Sequence, residues 1–575
     1  MSLPNKLADA VDVADYFDYV ETTKHPGGVL LAIALCASVG GIVGLPLIVG
    51  LGRNLLLETE EERSSRRWRD PRCPTPSLLG LLRTIVEYDD EARRILRLAV
   101  PLILSANVDR ATQLITLAVI SNYMGTDAMV AYTMVHLFNG ITSSFVMGWI
   151  DAIDTKGSMA YGARNYELTG RYVRASCLGH VLCTMPASLL WGTTAGRIML
   201  FLGFEESTAD LARDFAWVYA ACEAVNGLNV GAQKFLAVIG REMYANVVYC
   251  LERIATVTLV AIFVVGVGTS SLRVLGVVML TSSALFLLVG NILIPIKLGY
   301  ITKFKSGLLG RSSDGLSVAR DVFDAALPCA FNRLCEESEW EVMTIFASML
   351  GPAEAATWAT MGFIWNVFES TTEAIGNACE MRVSYQLGKG RPGMAKLAGY
   401  KTMFLASVAS ILGSAIFLSL SSVLPSLLTK DATIQGMLLD LFPLLALSNV
   451  SMGFGMVAWT AVGGQGRNSL ATKIAISCSF LVTCPIAGVL TVWMKLNLQS
   501  LMFAMHFGYT LTGTLLCACL QLSDWEALSK KVQGQMRANP DDFDSDSDES
   551  STASSSSSNP EVEEDDEEDE NKKNR

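Results

Sequence analysis

Charge is what this chain has little of. Charged residues occupy 17 % of its 575 positions, against roughly 25 % in soluble domains, which argues against a water-facing globule. The charge present is unevenly placed. Pro540 to Arg575 holds 15 acidic and 3 basic residues, and the other 539 positions hold 41 of each sign. The low pI therefore describes a tail, and the rest of the chain is neutral. Histidine is scarcer still, with four residues, His25, His136, His180 and His506, at no metal-ligand spacing. His136 and His506 lie in apolar runs and read as packed helix contacts rather than titrating groups. The thirteen cysteines offer no catalytic arrangement. Cys177, Cys183, Cys222, Cys250, Cys478 and Cys484 fall inside apolar runs, where a thiol behaves as a small hydrophobe. Cys517-x-Cys519 lacks the second pair a metal site needs. No phosphate-cradling glycine loop or nucleophile constellation is present. An enzyme, a metal centre, a cofactor and a nucleic-acid partner are accordingly not expected.

What the chain does have is length in its apolar runs. About thirteen stretches, from 28–52 to 499–521, reach the ~20 residues that a helix needs to span ~30 Å of hydrocarbon. This predicts an all-α, multi-pass membrane protein. The first run is too long and too late for a signal peptide and ends in arginines, so it is read as an extra anchor helix. Basic residues collect on alternate loops: Arg53 to Arg72, then Arg164, Arg171 and Arg174, then Lys234 and Arg241, then Lys303 and Lys305, then Lys389 and Arg391, then Arg467 and Lys473. That bias places those loops and the tail in the cytoplasm and the acidic N-terminus outside. The expected organisation is an exoplasmic N-terminus (1–27), an anchor helix (28–52), a basic cytoplasmic linker (53–94), a first six-helix lobe (95–306), a second (318–530) and a disordered tail (540–575). The tail has almost no apolar residues with which to repay ordering, and its serines stand beside acids, as an acid-directed kinase prefers.

The two lobes are one pattern written twice. Gly162 and Gly388 lie 226 positions apart, as do Gly240-Arg241 and Gly466-Arg467, while Pro101 and Pro328 lie 227 apart. Repeats of this kind build secondary transporters, with the binding site at the repeat interface. In each half one helix ends in a run of glycines and small residues that permits close packing, followed by basic residues: AIDTKGSMAYGARNYEL (Ala152–Leu168) and AIGNACEMRVSYQLGKGRP (Ala374–Pro392).

These stretches resemble the multidrug and toxic compound extrusion (MATE) family. The resemblance rests on Asp154-Thr155 with Ala160-Tyr161-Gly162-Ala163, and on Arg382-Val383-Ser384 with Leu387-Gly388-Lys389-Gly390. Pro328 with Glu336 and Glu341, Gly463-Gly464 and Asp524-Trp525 extend it over residues 90 to 530. It implies two six-helix lobes facing each other across a cleft that opens alternately to each side. It also implies antiport, with H⁺ or Na⁺ as the coupling ion and an organic compound, often a cation, as the exported substrate. Three positions depart from the family pattern. Thr116 stands where prokaryotic members carry an aspartate in the first repeat helix, Ser451 where plant and animal members carry one in the tenth, and Met159 where a glutamine is usual.

Charges inside spans cost about 2.5–3.5 kcal/mol each even on the lenient insertion scale, yet this chain concentrates them. Arg333, Glu336, Glu337, Glu339 and Glu341 fall within about two turns, and Glu369, Glu373 and Glu380 recur along one face of the next helix. Asp109, Arg110 and Glu223 are embedded in the first lobe. Crowded carboxylates repel one another, so at least one should take up a proton or a cation. The coupling or substrate residues are expected to be Glu336 and Glu341, then Glu373 and Glu369, with Asp109 and Glu223 opposite. A structural alternative pairs Arg333 with Glu336 or Glu337, and Asp109 with Arg110 or the other lobe. Trp340, Trp358 and Trp365 fit helix packing better than a cation box. The reading is thus an exporter of organic cations in the plasma membrane or a vacuolar or other endomembrane. The rivals are a flippase of an amphipathic lipid and a non-transporting scaffold.

Overall fold

The computed structural model describes residues 85–269, 271–310 and 315–536. The expected anchor helix and the tail lie outside the described residues, as do the N-terminus and the linker up to residue 84. Among the described residues the structure is helical, with no strand. The first lobe consists of α1 (Asp90–Tyr123), α2 (Thr126–Ala152, continuing through a π turn Ile153–Gly157 into Ser158–Gly162), α3 (Tyr166–Phe201), α4 (Glu206–Val238), α5 (Glu242–Gly266) and α6 (Leu272–Lys297). The second consists of α7 (Gly315–Leu350), α8 (Pro352–Gly388), α9 (Pro392–Ser419), α10 (Ala432–Gly464), α11 (Asn468–Trp493) and α12 (Gln499–Leu522). A further helix, α13 (Trp525–Met536), follows the second lobe.

The repeat register reappears in the helix starts. α8, α9, α10 and α11 each begin 226 residues after α2, α3, α4 and α5. Backbone punctuation repeats too. Gly240 and Gly466 adopt φ of 80° and 75°, and Arg164 and Gly390 adopt 62° and 76°. A non-glycine residue in that left-handed region costs about 1–2 kcal/mol, so Arg164 is held there by the surrounding packing.

Among the described residues seven helices, α3, α5, α6, α9, α10, α11 and α12, are long and apolar enough to cross a membrane. Their outer faces fit lipid: along α3, Leu178, Leu182, Met185 and Leu189 are all more than half exposed, a stripe that acyl chains can cover and water would not. The other five, α1, α2, α4, α7 and α8, are long but more polar, because they carry most of the embedded charges. Of these, α1, α2, α7 and α8 pack across to the partner lobe, whereas α4 packs within its own.

The lobes meet at the end of the bundle where Arg164, Arg241, Lys389, Arg391 and Arg467 collect, here termed the basic end. Packing there is backbone to backbone. A Cβ on Gly162 would lie 2.2 Å from the Tyr385 carbonyl oxygen, and one on Gly388 would lie 2.0 Å from the Met159 carbonyl oxygen. Met159 and Tyr385 are themselves 226 apart, so the contact is reciprocal, as across a two-fold axis. Deeper in, a Cβ on Gly148 of α2 would come within 2.6 Å of the Ala330 nitrogen of α7. Amphipathic α13 turns Trp525, Ser529, Val532 and Met536 inward. Ser529 donates to the Leu387 carbonyl (3.1 Å) in one lobe, and Asn165 of the other donates to the Met536 carbonyl (3.0 Å).

Candidate functional site

The π turn in α2 falls on Ile153–Gly157 and holds Asp154 and Thr155, both buried. Such turns swing side chains off the regular helical register and recur at functional sites. Here they aim Asp154 at Lys234 of α4, which also donates to Asp151 at 3.0 Å. Asp151 in turn accepts from Arg333 of α7 at 2.6 Å, and Arg333 reaches Glu373 of α8 at 2.8 Å. One chain of charges therefore crosses the seam, from α4 through α2 to α7 and α8. Thr155 is hydrogen-bonded to Glu380 of α8. Nearer the basic end, Arg382 grips Glu91 of α1 with two nitrogens (3.0 and 2.8 Å), and Gln386 adds a third bond to Glu91 at 3.2 Å. Lys401 binds Asp89 at 2.7 Å. Buried ion pairs hold well only when the remaining lone pairs are also satisfied, and this network satisfies most of them.

Further from the basic end, the second lobe contains a cavity of about 40 Å³, room for roughly three waters at ~10–15 Å³ each. Its lining comes from α7, α8, α10, α11 and α12 and includes Glu336, Glu339, Glu369, Ser479, Thr483 and Tyr509, with no lysine, arginine or histidine. Asn332 donates to Glu336 at 3.0 Å, and Ser479 to Glu339 at 2.6 Å. Three carboxyls and several hydroxyls without a base suit a proton or a small cation. The space is far below the ~300 Å³ at which pockets for drug-sized ligands begin. Trp340 stacks on Trp358 (5.0 Å) and Trp365 (6.1 Å) beside it. Trp358 and Trp365 are buried, so they serve as packing.

The first lobe is arranged differently. Asp109 pairs with Arg253 of α5 at 3.0 Å, not with Arg110 or the other lobe, and Arg253 also lies 3.4 Å from Glu252. Glu223 accepts from Ser143 at 2.9 Å. His136 is bonded to the Tyr219 hydroxyl at 2.9 Å, and His506 to Ser451 at 3.1 Å. Ser451 and Thr116 are both buried. Of the residues singled out from sequence, Glu336 and Glu369 line the cavity, which lies within the second lobe rather than between the lobes. Glu373 is tied to Arg333, so Arg333 pairs with Asp151 and Glu373 and not with Glu336 or Glu337. Glu337 lies 3.5 Å from Ser144 across the seam, and Glu341 is exposed. Asp154, Thr155, Gly162, Arg382 and Gly388 all sit on the seam. Sequence reasoning passed over Asp151 and Arg253. Glu339 was counted with the embedded acids but not chosen, and Lys234, expected on a cytoplasmic loop, is instead buried within α4. The charge of Asp151 three residues before Asp154 was legible, but its partners lie 83 and 182 residues away.

A model of the MatE family matches residues 101–257 and 328–489, one copy in each lobe, starting at Pro101 and at Pro328. The chain belongs to the MATE family of transporters. Curated relatives of this MATE protein include Protein DETOXIFICATION 37 of Arabidopsis thaliana, 23 % identical over 78 % of this chain and 88 % of that protein. An uncharacterised transporter of Schizosaccharomyces pombe is 22 % identical over 77 % of this chain and 82 % of its own length. Among solved structures, the crystal structure of the eukaryotic MATE transporter AtDTX14 superposes with a TM-score of 0.65 at 21 % identity, covering 80 % of this chain and all of that one. A mutant of the Vibrio cholerae MATE transporter VcmN gives a TM-score of 0.69 at 13 % identity, covering 76 % of this chain and 98 % of that one. The MATE fold and a multi-pass membrane location follow, and membership is consistent with efflux of xenobiotics.

Proposed function

We propose that this MATE transporter exports organic cations in exchange for H⁺ or Na⁺, with Glu336 and Glu369 holding the coupling ion in the second-lobe cavity. The observation that carries this reading is three carboxyl-bearing side chains around one water-sized cavity with no basic residue in its lining. An ion bound there changes the local charge by one unit, and low dielectric enlarges the effect on neighbouring helices. The positive-inside bias places the basic end in the cytoplasm. The sealed seam then belongs to the state closed to the cytoplasm, in which exposed Glu341 and Glu337 face the outer side and meet the substrate. Export requires the seam to open, load substrate, and close behind it, so the ion and the substrate act on one equilibrium from different sites.

The test is efflux of a fluorescent organic cation from vesicles under separate pH and sodium gradients. Glu336→Gln should abolish gradient-driven efflux while protein level and membrane location stay unchanged. Unaltered efflux in that variant would reject the assignment.

A further inference from the structure

Among the places where the repeat that relates the two lobes breaks is a buried charged pair. In the first lobe, Asp154 of α2 is held by Lys234 of α4. In the second, 226 positions on, α8 carries Glu380 and α10 carries Thr460: the acid is kept and the base is gone. Thr460 does not replace it, because its hydroxyl donates to the Val457 carbonyl at 3.0 Å. Glu380 is nevertheless 4 % exposed, and its carboxyl is bonded to neutral Thr155 of the opposite lobe. Asn468 of α11 places its Nδ2 3.4 Å from the same Thr155 hydroxyl, and its Oδ1 has no partner. Asp154 Oδ1 is likewise unpartnered.

The charged and titratable groups around Glu380 come from α2, α4, α7 and α8, while α10 and α11 bring only the neutral Gly463 and Asn468 to it. α2 contributes Asp154 and Asp151, α4 contributes Lys234, α7 contributes Arg333 and Cys329, and α8 itself contributes Cys379 and Glu373. Both cations are already engaged, Lys234 by Asp151 and Asp154, and Arg333 by Asp151 and Glu373. Four carboxyls thus share two bases, and Glu380 is the one with neither. A dry, unpaired carboxylate beside Asp154 is costly, whereas a neutral carboxyl in the same place needs only a hydrogen-bond partner, which Thr155 supplies.

We propose that Glu380 carries a proton whenever the basic end is sealed, and that loss of this proton releases the seam. When the lobes part at the basic end, water reaches the carboxyl and the ionised form becomes tolerable. Opening and proton release are therefore linked equilibria, each favouring the other. The proton leaves and returns on the basic side, so it is distinct from the ion held in the second-lobe cavity. The inference rests on the lobes parting at this end but on no particular coupling ion or substrate.

Spin labels on non-natural amino acids at exposed Glu167 and Arg391, one on each side of the seam, report sealed and open populations of the full chain in nanodiscs between about pH 5.5 and 9. The unsubstituted chain should open as pH rises, the sealed-to-open ratio falling towards tenfold per pH unit, the slope of one linked proton. Glu380→Gln, a permanently neutral amide, should stay sealed and lose the slope. Thr460→Lys restores the base found in the first lobe and should also stay sealed across the range, so the idea stays testable if the glutamine variant does not fold. A slope retained in either variant, or an unsubstituted chain with equal populations at every pH, overturns the proposal. No substrate or gradient enters the measurement, so such a failure leaves the cavity assignment to be judged by efflux alone.

Discussion

Removing the Arg382 side chain should unlatch the basic end, and the structure sets the size of the effect. Glu91 is 4 % exposed and accepts two hydrogen bonds from Arg382 and one from Gln386. Deleting one partner of such a buried pair costs about 3–5 kcal/mol, because the other charge is left dry and unpaired. The Gln386 amide survives, so the lower figure applies. The cost falls on the sealed state only, since Glu91 and Arg382 stand on opposite lobes and parting them returns both to water. A penalty of about 3 kcal/mol shifts the sealed-to-open ratio roughly 150-fold, at 1.4 kcal/mol per factor of ten. A population sealed at 99:1 would become mostly open. Distance measurements between labels on the two lobes should show this for Arg382→Met. The double variant Glu91→Gln with Arg382→Met removes both charges and should recover most of the sealed population, because two neutral partners of similar shape no longer leave a buried ion. A sealed population unchanged in the single variant, or equally lost in the double, would refute the reasoning.

Two further outcomes follow from the same end of the molecule. Gly388→Ala places a methyl about 2.0 Å from the Met159 carbonyl oxygen, backbone that cannot yield cheaply, so the lobes should separate and efflux should fall while either lobe stays folded; wild-type efflux would contradict this. Val532→Asp puts a charge on the buried face of α13 and should free that helix from both lobes, read as faster hydrogen exchange over 525–536 with a seam that opens more often. Protection unchanged from the parent chain would show that the helix does not bridge them.

Much of this was legible in the sequence, for reasons that differ by element. The lobes were readable because duplicated glycines repeat in register, and Gly162 and Gly388 are needed where backbones touch. Glu336 stood out because a carboxylate in an apolar span demands a partner. Glu339, counted with it among the embedded acids, was not singled out, since which glutamate faces Ser479 depends on how α7 packs against α11. Arg253 was invisible as a partner for Asp109 because the pairing joins α1 to α5, 144 residues apart. The same holds for Lys234 with Asp151. Periodicity shows a face of a helix but not what stands opposite it. The helix α13 was available as an amphipathic pattern of Trp525, Leu528, Ser529, Val532 and Met536, and its bonds to Asn165 and Leu387 carry the bundle past the expected limit at residue 530.

The reciprocal packing of Gly162 and Gly388 gives the closed end the geometry of a homodimer contact written inside a single polypeptide. A half-length chain with one such glycine face would already fit its twin, with no new surface required. Joining the halves in one polypeptide lets them differ, which identical subunits cannot do. The lysine at 234 against the threonine at 460 is such a difference between the halves, an asymmetry available only to a duplicated chain.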